Sequence, residues 1–416
     1  MKIEKPLLPI ICFLLIAWGC GQHSGSSFHL SEKKEIDSPA GPNSGEPNLF
    51  TANDGKIYLS WIEETPGNQH ALRFSVRQQD GWSAPTTISE GKDWFVNWAD
   101  FPSLAVLNEK SLVAQWLTKN ADEKYAYDVK LALSNDGGKS WGGAITPHRD
   151  ETATEHGFVS LLPISDDDFL VVWLDGRNFS PSSEGYAGHG EPTNKMMLMA
   201  TMIDTTSELS EEILLDPRVC ECCQTSAALT SDGVVIAYRD RSADEIRDIG
   251  IVRFQKGQWL EPKIIHNDGW KIEGCPVNGP AVDAIGERVA VAWYTGANEA
   301  SRVNVIFSND GGESFGVPIQ ADDGNPIGRV DVMLLPDGAA LVCWLEQDGE
   351  SGEIRARRVS TDGARGSSLT IAETTTQRAS GFPRMARNDE EIVFAWTDDG
   401  DPSQVRTAST KITSKN

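Results

Sequence analysis

The chain has 416 residues, a formal net charge of −24 and 24% charged residues. That acidic balance excludes a nucleic-acid binder and a protein held on an anionic bilayer by its own surface, and it suits solubility in a salty or extracellular setting. Helical periodicity is almost absent, which points to an all-β chain.

The first elements are targeting signals. A charged start with Lys2 and Lys5 precedes an apolar run from Leu7 to Trp18, too short to cross a bilayer. Ala17, Trp18 and Gly19 then lead to Cys20, so residues 1–19 read as a secretory signal. The cysteine at the break resembles the lipobox of bacterial lipoproteins. That resemblance implies a lipid on Cys20 and, with Gly21 unlike an inner-membrane retention residue, a place in the cell envelope at the outer membrane or periplasm. The membrane would be touched only through this anchor. Residues 20–44 are polar, rich in Ser, Gly, Glu and Pro, and read as a tether before a domain over 45–416. Cys12 leaves with the signal, so Cys220, Cys222, Cys223, Cys275 and Cys343 remain in a compartment that permits disulfides.

From there one unit repeats. An apolar strand ending in an aromatic recurs with Trp61, Trp116, Trp173, Tyr238, Trp293, Trp344 and Trp396, at intervals of 55, 57, 65, 55, 51 and 52 residues. Each has a short strand before it and two after it. Four short strands per unit of this length predict a β-propeller of seven blades, each of four antiparallel strands, with six blades as the alternative. The last unit supplies three strands, and a strand near Phe28, His29 and Leu30 would complete it and close the ring.

Two turns after third strands share a pattern: Ser134, Asp136, Gly138, Ser140, Trp141 and Ser308, Asp310, Gly312, Ser314, Phe315. The carboxylate caps backbone N–H groups, the glycine takes positive φ and the aromatic tucks beneath. These turns resemble the Asp-boxes, or bacterial neuraminidase repeats, of the sialidase superfamily. The resemblance covers residues 45 to 412 as architecture and implies a structural turn on the face opposite any site.

Candidate site residues lie where loops return to the other face. Two residues past each aromatic stand Glu63, Thr118, Asp175, Asp240, Thr295, Glu346 and Asp398. These acids read either as ties within and between blades or as acid–base groups. One position earlier, where most units are apolar, stand Arg239 and Tyr294. Segments entering the inner strands add Asp100, Asn278, Arg329 and Arg384, and the third unit adds Arg177 and an insertion over 179–194 that would act as a lid. Arg177, Arg239, Arg241, Arg329 and Arg384 would either bind a carboxylate by their donor forks or neutralise the acids. The run from Arg239 to Asp248 reads as a solvated charge run, or as Arg241 and Arg247 aimed inward and held by Asp240 and Asp248. The sialidase resemblance implies a Tyr nucleophile paired with a Glu, and an Asp as acid–base. Tyr294, Glu245 or Glu346, and Asp100 or Asp175 would fill those roles, with the arginines and Asn278 on the substrate.

The four clustered thiols, Cys220, Cys222, Cys223 and Cys275, admit disulfides, with Cys220–Cys223 and Cys222–Cys275 as one pairing. They also admit copper(I) or zinc, and redox chemistry. Cys343 reads as a small core hydrophobe. The chain is therefore expected to be a monomeric lipoprotein acting on an acidic sugar as an exo-sialidase-type hydrolase. Its alternatives are a non-catalytic propeller binding a carboxylated glycan or protein, and a metal or redox protein built on the Cys cluster. No other cofactor is expected.

Overall fold

The computed structural model describes residues 28–179, 195–389 and 391–414. The export segment, Cys20 and residues 180–194 of the expected lid lie outside them. The regular structure is nearly all strand, in seven small antiparallel sheets, one for each aromatic of the repeat. The chain is a seven-bladed β-propeller, and the six-bladed alternative falls.

Blades 1 to 7 begin with inner strands Ser44–Thr51, Ser103–Val106, His156–Pro163, Ser226–Thr230, Ala281–Ile285, Pro326–Leu334 and Arg384–Arg387. Every repeated aromatic lies on the second strand of its blade, as in Ile57–Thr65 and Ala340–Asp348. The stretch of each that leads to the aromatic is mostly apolar because both faces are covered by neighbouring blades. Seven apolar clusters result, each straddling one pair of adjacent blades. The aromatic points back toward the preceding blade: Trp344 packs with Val303 and Val305 of blade 5, and Trp61 with Val393 and Ala395 of blade 7. Cys343 is fully buried between blades 6 and 7, as a small apolar residue would be. Blade 2 keeps three strands, its fourth reduced to a bridge from Leu131 to Ile145.

The expected closing strand forms: Phe28–Leu30, with Lys34–Ile36 after it, pairs along Gln404–Ser414, the outer edge of blade 7. The propeller thus starts by residue 28. A polar composition did not prevent pairing, because an edge strand needs backbone N–H and C=O groups more than an apolar face.

The two repeated turns are built alike. Ser140 and Lys139 donate backbone N–H to Asp136 at 2.9 and 3.0 Å, and Ser314 donates to Asp310 at 2.8 Å. The Gly137 N–H reaches the carbonyl of Lys110, in the turn after the inner strand of blade 2, so these turns mark the face where inner strands end. The opposite face, where inner strands begin, carries the candidate residues. Between the faces a cavity of about 770 Å³ follows the axis, lined by inner strands of all seven blades.

Candidate functional site on the axial face

Three blades enter the axis through the same irregularity. Register slips after Gly45, Gly157 and Gly328 put the next residues, Glu46, Phe158 and Arg329, at φ of 52°, 53° and 53°. A bulge of this kind re-aims a side chain, and the left-handed backbone costs about 1–2 kcal/mol for a non-glycine residue. At Gly328 the close approach is explicit: a Cβ there would meet Asn278 Oδ1 at 2.3 Å. Asn278 Oδ1 instead accepts the Arg329 N–H at 2.7 Å.

Arg329 is the unusual residue of the three. It is 4% exposed, its guanidinium lies 4.7 Å from the Trp98 ring, and Nη1 donates to Ser380 Oγ and Gly381 O at 2.7 and 3.1 Å. Among the described residues no carboxylate comes within 4.0 Å of it. Burial lowers its pKa to about 10. Trp98 continues into a ring stack with Phe382 at 5.8 Å, and Phe382 meets Phe101 at 5.7 Å. Phe101 and Arg384 line the end of the axial cavity, where Arg384 lies over Phe101 and 3.7 Å from Asp331. Glu46 enters the same face with no hydrogen bond or ion pair to its carboxyl among the described residues, and burial pushes it up to about 7.

Beside the axis, between blades 2 and 3, Asp100, Tyr127 and Glu155 form a buried chain. The Tyr127 hydroxyl lies 2.7 Å from Glu155 Oε1 and 3.2 Å from Asp100 Oδ2, and Phe158 N–H donates to Asp100 Oδ1 at 2.7 Å. Burial, with the Glu155 charge adding to it, pushes Asp100 up to about 8 against those hydrogen bonds.

The other sequence candidates are brought to the same face but not to one point. Arg177 holds Asp175 with two donors, at 2.8 and 2.6 Å, and Glu212 with a third. Arg239 gives its donors to the carbonyls of Asn278, Arg247 and Tyr294 and stacks 5.0 Å from Trp270. Arg241 and Arg247 share Glu221 and Glu245, with Arg218 on Glu245 as well. Asp248 caps the backbone N–H of Gly269 and Trp270. Trp173 donates its indole N–H to Asp175 at 2.8 Å and Trp61 to Glu63 at 3.2 Å, while Trp344 pairs with Glu346 in the same way. The acids two residues past the aromatics are, in these three blades, ties to their own indoles. Tyr294 directs its hydroxyl to Ser301 at 2.8 Å, and among the described residues no carboxylate hydrogen-bonds to it.

Of the expected pairing one bridge forms, while Cys220 and Cys223 stay free thiols. Cys222 and Cys275 form a disulfide, with Cα atoms 6.0 Å apart, joining the loops that enter blades 4 and 5. Cys220 and Cys223, both buried, have sulfurs 3.0 Å apart. Burial opposes ionisation, but the Cys223 thiol and Arg247 draw Cys220 down to about 7.

Sequence reasoning missed Tyr127, Glu46 and the role of Trp98. The signal for Glu46 was present, as a glycine at the inner-strand entry followed by a residue that breaks the apolar pattern, shared with Gly328 and Arg329.

No protein-family model matches the chain, and no curated protein does. Among solved structures, the chain is similar to an ulvan lyase of a polysaccharide lyase family, at 10% identity and a TM-score of 0.58, over 90% of this chain and 95% of that one. It is similar to a Hadza microbial sialidase, at 13% identity and a TM-score of 0.50, over 86% of this chain and 76% of that one. It also resembles an α-L-arabinanase from Penicillium chrysogenum, at 12% identity and a TM-score of 0.50, over 92% of this chain and 98% of that one. At these identities the likeness is one of fold: a propeller shared by proteins that bear the names of glycosidases and a lyase.

Proposed function

We propose that the protein is a carbohydrate-active propeller of the bacterial cell envelope, anchored through Cys20, that takes a carboxylated sugar at Arg329. The observation that carries this reading is the buried guanidinium under Trp98 with no carboxylate against it. An unpaired buried charge is costly, whereas a sugar carboxylate would complete its donor fork while the ring packs on the indole. Glu46 and Asp100, raised to about 7 and about 8, are protonated at neutral pH to a degree ordinary carboxyls are not, which suits proton donation to a leaving group. In an exo-sialidase-type reaction Tyr127 would be the nucleophile, Glu155 its base and Asp100 the acid. Propellers of this shape include the ulvan lyase, solved bound to a GlcA-containing saccharide.

The non-catalytic reading is favoured by one observation: Asp100, Tyr127 and Glu155 are all sealed from solvent. One experiment separates the two. The full chain is titrated calorimetrically with sialosides and glucuronate oligosaccharides, and product release is followed by chromatography. Binding that weakens about tenfold or more in Arg329→Ala, a loss of about 1.4 kcal/mol, and is unchanged in Arg177→Ala supports the site. Turnover abolished in Tyr127→Phe identifies a hydrolase; binding without turnover identifies a binding propeller. Wild-type protein that binds neither class of glycan, or an Arg329→Ala form that binds as tightly, would sink the proposal.

A further inference from the structure

The seam between blades 2 and 3 holds a second cluster that the sugar site does not use. Its centre is His156, fully buried, on the inner strand of blade 3. Nε2 lies 3.2 Å from Asp150 Oδ1 and 3.6 Å from Asp175 Oδ1, yet makes no hydrogen bond to either. Nδ1 faces the Tyr127 carbonyl at 3.4 Å. An imidazole that gives Nδ1–H to a carbonyl carries either a second proton or a lone pair on Nε2, and a lone pair facing two carboxylate oxygens needs a positive centre between them. His148 stacks flat on His156, with ring centroids 3.8 Å apart, and its Nδ1 is 3.1 Å from Asp150 Oδ1. Its own Nε2 is likewise buried without a hydrogen bond and lies 3.7 Å from Asp128 Oδ1.

We infer that His156, Asp150 and Asp175 form a binding site for a divalent transition-metal ion, with zinc(II) the best fit. Zinc bonds of about 2.0–2.2 Å to nitrogen and oxygen put tetrahedral ligand atoms roughly 3.3–3.6 Å apart, close to the two separations found around Nε2. Charge points the same way. Among the described residues, Asp128, Asp150, Asp175 and Glu212 are met by Lys130, Arg177 and the two histidines, so while the imidazoles are neutral two negative charges are left over, the complement of one dication. The supporting groups are those a metal-bound histidine and carboxylate require: the Tyr127 carbonyl on His156 Nδ1, His148 on Asp150, and Arg177 with the Trp173 indole on Asp175. The site is formed without thiolate, and it is separate from the cluster of Cys220, Cys222 and Cys223.

The test uses the full chain with Cys220→Ser and Cys223→Ser, which removes the competing sulfur ligands. After chelator treatment, loading with zinc sulfate and desalting, metal analysis should return one zinc per chain, with a raised Tm. His156→Gln and Asp150→Asn should each retain none, and His148→Asn should bind about tenfold more weakly. Cobalt(II) in place of zinc should show ligand-field bands of a four-coordinate ion with no thiolate charge-transfer band. That spectrum decides the matter even if the histidine variants fail to fold. A protein that retains no zinc and gives no cobalt spectrum, so that His156 is an imidazolium held by its carboxylates, overturns the inference. So does full zinc retention in His156→Gln and Asp150→Asn. Neither result bears on sugar binding at Arg329.

Discussion

Arg329 combines two costs in one position, a buried charge and a backbone at φ 53°. Residues held in that region against their preference mark places where stability is given up for function. Arg329→Gly removes both costs while losing the stack on Trp98, so Tm should rise by a few degrees while binding of carboxylated glycans disappears. Differential scanning calorimetry beside the glycan titration reads both; a variant with lower Tm would remove the strain argument. Asp100 makes a second prediction. Its folded pKa, about 8, stands above its unfolded value near 4. The unfolded chain therefore releases this proton first, and stability falls as pH rises from about 4 through about 8. Asp100→Asn keeps an acceptor for the Phe158 N–H and removes that slope. The variant should gain Tm relative to wild type at pH 8 and little at pH 4, as thermal melts across the range would show.

Among the elements, the loop carrying Cys220 to Gln224 is fixed at several points. Cys222–Cys275 ties it to the loop entering blade 5, and Gln224 bridges Ala99 O at 2.6 Å and Gly279 N at 2.9 Å. The cross-link closes 53 residues, which by loop entropy stabilises the fold by about 4 kcal/mol. Cys222→Ser should lower Tm by several degrees and loosen hydrogen exchange first in residues 220–224 and 275–279; uniform loosening would count against a local clamp. These elements also show what a sequence can and cannot expose. The aromatic-ended strands were legible because packing on both faces forces an apolar run whose period is the blade. The cysteine pairing was legible as an option, since adjacent entry loops must meet. The fate of the arginines was not, because a guanidinium answers to whichever carboxylate lies nearest in space. Arg177 was claimed by Asp175 two residues away, Arg241 by Glu221 twenty residues back, and Arg329 by none. Tyr127 was hidden for the same reason, its partners lying in the loops before two different blades.

For the molecule as a whole, stability resides in seven seams rather than one core. Each blade is held by two neighbours, and ring closure supplies the seventh seam through blades 7 and 1. Deleting residues 1–36 should leave Gln404–Ser414 as an open edge, with a lower Tm and concentration-dependent oligomers in light scattering. A monomer of unchanged Tm would show that the closing strands are dispensable. Those same strands set how the protein meets its surroundings. If Cys20 carries a lipid, only seven residues, 21–27, separate the acyl chains from the first closing strand, a reach of about 25 Å at full extension. On so short a leash the disc cannot roam the bulk fluid. An anchored disc would scan what lies close to the bilayer, which would favour surface-bound polymers over free oligosaccharides as its quarry.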